Sequence, residues 1–262
     1  FIIAEVGPNH QGSLGLAIKY IKKLSKIGVD AVKFQIGIAK EHYSINSFKP
    51  NYQIKKKEKS ISIISQAEKR LLKLNDHIRL YNECRKHKVH YMCSAFDLKS
   101  LRFLFQNTKF PYIKIASGEI LSLDSLKFIS NFNVPIILST GMSTIQEIKK
   151  TIKILNKNKK KNITLLHCVS DYPTKISDLN LNFLKKLKKI FNYPVGLSDH
   201  SVGTMAPVIA TSLGATIIEK HVTFNKKWKG PDHKASLTIQ EFKKMVELIR
   251  ETEKILGQEK KI

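Results

Sequence analysis

Two lysines stand inside otherwise apolar runs of this chain: Lys33 in Ala31-Val32-Lys33-Phe34-Gln35, and Lys114 in Tyr112-Ile113-Lys114-Ile115-Ala116-Ser117. An ammonium group in a buried strand is costly unless an anion or a carboxylate meets it. Three chemistries are open to such a pair. With the hydroxyls of Ser94, Ser117, Ser139 and Ser198, the lysines can clamp a phosphate or carboxylate through charge-assisted hydrogen bonds. They can instead form buried Lys–Glu pairs, with Glu5 or Glu119 as partner. A Schiff-base mechanism needs one lysine of depressed pKa, so two lysines among many hydroxyls suit a doubly anionic ligand better.

Two histidines carry a second signal. His200 and His221 close successive apolar runs, and on adjacent strands they would lie about 4.8 Å apart. Imidazoles so placed can converge on one divalent ion and leave positions open for water and a substrate oxygen. Structural or general acid–base work is equally within a histidine pair's reach. Asp199 beside His200, and Glu219 and Lys220 beside His221, are candidates to orient them.

The elements that must hold these residues repeat. Apolar runs that read as strands cover Ile2–Val6, Ala31–Gln35, His90–Ala95, Tyr112–Ser117, Pro135–Thr140, Ile163–Cys168, Val195–Ser198 and Thr216–His221. Amphipathic helices alternate with them. In the first, Leu14, Ala17, Tyr20, Ile21 and Leu24 share a face opposite Lys19, Lys22, Lys23 and Lys26. Eight such units predict a (β/α)8 TIM barrel over residues 1–262 rather than an open doubly wound sheet. A barrel buries both faces of each strand, which is why the runs are continuously apolar. Every strand end carries polar residues: Glu5, Asn9 and His10; Gln35; Ser94; Ser117 and Glu119; Ser139 and Thr140; His167, Ser170 and Tyr172; Asp199 and His200; Glu219 to His221. A single strand-end serine often caps the next helix, but eight polar ends together point to an active site at the carboxyl face. The polar stretch Ile38–Ser65 breaks the rhythm and reads as an excursion near the mouth.

Composition narrows the alternatives. Lysine and arginine number 46 against 21 acidic residues, a net charge of +25. Such charge attracts phosphate backbones, yet the lysines are spread over nearly every predicted helix without interleaved aromatic residues, so a nucleic-acid-binding module is the weaker reading. No run approaches the length of a membrane helix. Three cysteines without metal-type spacing read as free thiols in a reducing, cytoplasmic compartment. The chain opens within an apolar run, Phe1-Ile2-Ile3-Ala4, which reads as a strand already under way with residues missing upstream, and nothing in it reads as a signal peptide.

The blocks AEVGPNHQG (4–12), DAVKFQ (30–35), KIASGE (114–119), ILSTGMS (137–143), LLHCVSDYPT (165–174), VGLSDHS (195–201), EKHVTF (219–224) and WKGPDHKASL (228–237) together resemble the N-acetylneuraminate synthase family. That family includes the sialic, legionaminic and pseudaminic acid synthases. The resemblance implies a barrel that condenses phosphoenolpyruvate with an open-chain 2-acetamido sugar. Lys33, Ser94, Lys114, Ser117, Ser139 and Ser198 would hold phosphoenolpyruvate, and so would Ser170, where some members carry Asn. His200 and His221 would bind a divalent metal, Mn²⁺ first, with Mg²⁺ or Co²⁺ as alternatives. Gln35, Glu119, Tyr172 and Asp232 would contact the sugar. Glu5 and Glu219 are the acid–base candidates, with Glu119 beside them among the catalytic carboxylates. The family's small antifreeze-like domain, which completes the site of a homodimer partner, has no counterpart in these residues. Another phosphoenolpyruvate-dependent barrel synthase would need a further anion site for a phosphorylated acceptor, and no arginine cluster offers one.

Overall fold

The structure, a computed structural model, describes residues 1–42, 63–109, 111–158 and 162–258. The expected (β/α)8 barrel is present. Its parallel strands are β1 (Ile2–Glu5), β2 (Ala31–Ile36), β3 (His90–Ala95), β4 (Ile113–Ile115), β5 (Ile136–Ser139), β6 (Ile163–Cys168), β7 (Val195–Asp199) and β8 (Ile218–Thr223). They are hydrogen-bonded in the order β3-β2-β1-β8-β7-β6-β5-β4, and β4 returns beside β3 to close the ring. A two-residue strand, β9 (Leu237–Thr238), adds to β8. Most of the expected excursion after β2, residues 43–62, lies outside the described residues.

The outer layer consists of α1 (Leu14–Leu24), α2 (Ala39–His42), α3 (Ile63–Arg70), α4 (Leu74–Lys86), α5 (Leu98–Asn107), α6 (Leu123–Ser130), α7 (Ile145–Leu155), α8 (Phe183–Phe191), α9 (Met205–Ser212) and α10 (Ile239–Leu256). Local chemistry sets where several begin. Ser13 caps α1 and Asp97 caps α5 through side-chain oxygens. α7 and α10 each start with a reciprocal capping box, Thr144 with Glu147 and Thr238 with Glu241. The buried stripe of α1, Ala17, Tyr20, Ile21 and Leu24, faces the sheet as the periodicity predicts. No helix among the described residues is long and apolar enough to cross a membrane.

The strand ends differ from expectation where chemistry begins. The fourth strand stops at Ile115 because Ser117–Glu119 coil into a 3-10 turn, and the eighth runs on to Thr223, where β9 pairs with it. Inside the ring the side chains form layers. Ile3, Ala31, Met92, Ile137, Leu166 and Ile217 pack together as an apolar floor, with Phe1 and Tyr112 against it. One step up each strand, two residues on, stand Glu5, Lys33, Ser94, Lys114, Ser139, Cys168, Ser198 and Glu219, and all eight line one cavity. The barrel interior therefore changes from hydrocarbon to charge within a single layer.

Candidate active site

The polar layer is a web of short contacts. Lys33 Nζ lies 2.8 Å from Glu5 Oε2 and 3.6 Å from Glu219 Oε2, and it donates to Ser94 Oγ at 3.3 Å. Lys114 Nζ donates to Ser139 Oγ at 2.7 Å and sits 3.7 Å from Glu219 Oε1. Ser198 Oγ donates to Glu219 Oε1 at 3.0 Å, and Gln35 Nε2 to Glu5 Oε1 at 2.8 Å. Both lysines are thus met by carboxylates, and the partners are Glu5 and Glu219 rather than Glu119. Two cations and two anions nearly cancel, so an anionic ligand can enter if protons rearrange.

Electrostatics separates the two acids. Burial raises the Glu5 pKa further than Lys33 lowers it, with Glu219 adding to the rise. Burial also opposes ionisation of Glu219, but Lys114, Lys33 and the Ser198 hydroxyl outweigh it and hold that carboxyl below its usual value. Desolvation lowers Lys114, whereas in Lys33 the pull of Glu219 and Glu5 overcomes desolvation and keeps the ammonium charged. The two carboxyls are thus pushed apart, one above and one below its usual value, as an acid and a base working together require.

Above this layer, again two residues on, stand Gln35, Phe96, Ala116, Ser170, His200 and His221. The His200 and His221 ring centroids are 5.4 Å apart, and Tyr172 stacks 4.0 Å from His200. His200 Nδ1 is 2.7 Å from the Val169 carbonyl. His221 Nδ1 is buried without a hydrogen bond, with Asp232 Oδ2 at 3.4 Å. Burial and the Glu5 charge raise Asp232 to about 7. Two close imidazoles, one with an orphaned nitrogen, are a donor set that fits a divalent ion. Among the described residues no three or more His, Cys, Asp or Glu side chains form a metal cage, so water or substrate would complete the coordination.

The inner cavity, about 330 Å³, meets an outer one of about 200 Å³, and the two share Gln35, Phe96 and Tyr172. Asp232 lines the outer cavity, together with His10, Gln66 and Arg70. The structure thus gathers Glu5, Lys33, Gln35, Ser94, Lys114, Ser117, Ser139, Ser170, Tyr172, Ser198, His200, Glu219 and His221 around the inner cavity. Glu119 lines neither: it accepts from Ser122 Oγ at 2.6 Å and borders a small space behind Lys114. His167 turns outward to the Leu179 carbonyl. Sequence reasoning passed over Cys168, which occupies the sixth strand's place in the polar layer, 3.5 Å from Ser117 Oγ. It also passed over Gly141, where a Cβ would fall 2.5 Å from Ser170 Oγ and 2.9 Å from Ser117 Oγ. Neither position carries a hydroxyl, amide or charge to mark it in the sequence: Cys168 offers only a weakly polar thiol, and Gly141 no side chain at all.

Fold and site together define a (β/α)8-barrel protein whose charged pocket lies at the carboxyl ends of its strands, where barrel enzymes carry their active sites. The chain belongs to the NeuB family, whose model matches residues 20–261. It is 42% identical over 258 residues to N,N'-diacetyllegionaminic acid synthase of Campylobacter jejuni, covering 98% of this chain and 77% of that one. To pseudaminic acid synthase of the same organism it is 37% identical, covering 98% and 75%. The crystal structure of N-acetylneuraminic acid (sialic acid) synthetase from Leptospira borgpetersenii, in complex with citrate, superposes with a TM-score of 0.89 at 32% identity, covering 99% and 86%.

Proposed function

We propose that the chain is the barrel of a sialic-acid-type synthase. It joins phosphoenolpyruvate to N-acetylmannosamine or a related 2-acetamido sugar, such as 2,4-diacetamido-2,4,6-trideoxymannose, giving a nonulosonic acid and phosphate. The observation that carries this is the polar layer, in which two buried lysines, two carboxylates and serine hydroxyls share a cavity that opens into a second one. Likeness to synthases of legionaminic and pseudaminic acid supports it.

Lys33 and Lys114, with Ser94, Ser117, Ser139, Ser170 and Ser198, would hold the phosphate and carboxylate of phosphoenolpyruvate. Gln35, Tyr172 and Asp232 would contact the sugar in the outer cavity; Glu119 stands behind His42 of that cavity, its Oε1 3.9 Å from the His42 ring. His200 and His221 would hold a divalent ion, Mn²⁺ before Mg²⁺ or Co²⁺, whose contribution is to polarise the aldehyde oxygen. The methylene carbon of the enol phosphate bonds to the aldehyde carbon, and positive charge develops at the former enol carbon. Water adds there to give a tetrahedral carbon; phosphate then leaves with the electrons of its C–O bond, while the new hydroxyl gives its remaining proton to the departing phosphate and becomes the keto oxygen. Glu219, held ionised, takes a proton from that water, while Glu5, pushed toward its protonated form, gives one to the former aldehyde oxygen. A homodimer, expected where the family's C-terminal domain is present, belongs to the same reading. Leu121, Met142, Ile176, Val202 and Met205 follow β4 to β7 as exposed apolar side chains that a second subunit would cover.

The test is phosphate release from phosphoenolpyruvate with each sugar, with and without Mn²⁺. Metal-dependent release is expected, abolished in His221→Ala while phosphoenolpyruvate binding survives in part. Absence of release with every 2-acetamido sugar, or full turnover by His221→Ala, would overturn the assignment.

A further inference from the structure

We propose that the buried ion pair Asp199–Lys220 is a positioning pair that sets the backbone carrying His200 and His221, an inference that rests on reading those histidines as metal ligands. In the parallel ladder of β7 and β8, Ser198 stands opposite Glu219, and Asp199 opposite Lys220. Alternation turns Ser198, His200, Glu219 and His221 into the cavity. Asp199 and Lys220 turn the other way, under α9 and α10. Each charge is therefore the sequence neighbour of two cavity residues.

Both groups are closed to solvent, Lys220 at 0% and Asp199 at 1% exposure, and Lys220 Nζ lies 2.5 Å from Asp199 Oδ2. Well-packed apolar side chains often replace such a pair with no loss of stability, so stability alone does not explain it. Its remaining bonds do. Lys220 Nζ donates to the Ser201 carbonyl at 2.7 Å, and Asp199 Oδ1 accepts from the Ser201 N–H at 2.9 Å. Ser201, the residue after His200, is gripped at both its amide and its carbonyl. On the other side, the His200 carbonyl accepts from the Thr174 N–H at 3.0 Å. The main chain at His200 is thus held apart from any bond its ring makes, and the same lysine is joined by one peptide to His221. Apolar substitution of the pair would keep the packing but lose both bonds to Ser201.

Co²⁺ titrated into the metal-free protein, followed by d–d absorption and calorimetry, tests this. The unaltered protein should bind and His221→Ala should not. Asp199→Asn and Lys220→Met should each weaken Co²⁺ binding about 10- to 100-fold, with metal-free phosphoenolpyruvate affinity largely kept. The double variant Asp199→Leu/Lys220→Met leaves no unpaired charge; it should stay folded, melting lower than the unaltered protein because the buried Ser201 amide and carbonyl lose these partners, and should bind Co²⁺ poorly. Wild-type Co²⁺ affinity in the double variant would reduce the pair to a stability device and overturn the inference. Should no variant fold, amide exchange of Ser201 in the unaltered protein decides: slow exchange, as in the barrel strands, is expected, and loop-like exchange overturns it. Failure of the unaltered protein to bind Co²⁺, or equal binding by His221→Ala, instead removes the metal reading and this inference together.

Discussion

Lys114 shows how one side chain is fixed by its surroundings and fixes them in turn. Its ammonium is bound to Ser139 and faces Glu219, and removing it leaves Glu219 with Lys33 as its remaining lysine partner, beside the Ser198 hydroxyl. Lys114→Met should therefore weaken phosphoenolpyruvate binding about 10- to 100-fold, the equivalent of one charge-assisted hydrogen bond. Calorimetric titration checks this, and unchanged affinity would contradict the clamp. His77 tests burial in the opposite sense. It is fully buried against the Tyr91 hydroxyl, and desolvation lowers its pKa from 6.5 to about 3. A base whose folded pKa is lowered resists protonation only when folded. Stability from its neutral form is complete above pH 6.5 and drains away as pH falls toward 3. The slope approaches about 1.4 kcal/mol per pH unit within that window. Urea midpoints measured from pH 7 to 4 should fall less steeply in His77→Gln than in the unaltered protein.

At the scale of elements, the β8–β9–α10 corner secures the strand that bears Glu219 and His221. Thr238 and Glu241 bond reciprocally at the start of α10, and Lys226 Nζ reaches Glu241 Oε1 at 2.7 Å. Thr238→Ala should cost about 1 kcal/mol and lower the melting temperature by roughly 2–4 °C, read by calorimetry. Elements were also where the sequence read best. Helical stripes such as Ala17, Tyr20, Ile21 and Leu24 and apolar strand runs follow from local periodicity, so β3 and β6 match their expected limits. The larger misjudgements fall at β4, which leaves the ladder early for the Ser117–Glu119 turn, and at β8, which stays in it two residues longer because β9 pairs there.

The whole molecule carries a net charge of +25, much of it on the exposed helix faces. Lys22, Lys23 and Lys26 around the end of α1, Lys185, Lys186, Lys188 and Lys189 on α8, and Lys243 and Lys244 on α10 are all exposed. Like charges spread around a shell repel one another, and salt screens them within about 10 Å at 0.1 M. The melting temperature should accordingly rise as sodium chloride is increased from low to physiological concentration. A flat response would mean that local acidic partners already neutralise the shell.

Sequence by itself determined the count and order of strand–helix units and nearly all the polar residues that line the cavity, because periodicity and charge inside apolar runs are local properties. Lys33 and Lys114 were conspicuous for that reason. Only the tertiary structure decided which of several consecutive polar residues faces the cavity. Ser198, His200, Glu219 and His221 point inward, while Asp199, Lys220 and His167 point outward. Alternation along a strand has two phases, and closure of the barrel selects one of them for all eight strands together. The same closure brought Glu5 and Glu219, 214 residues apart in the chain, onto one lysine. No local pattern encodes that meeting.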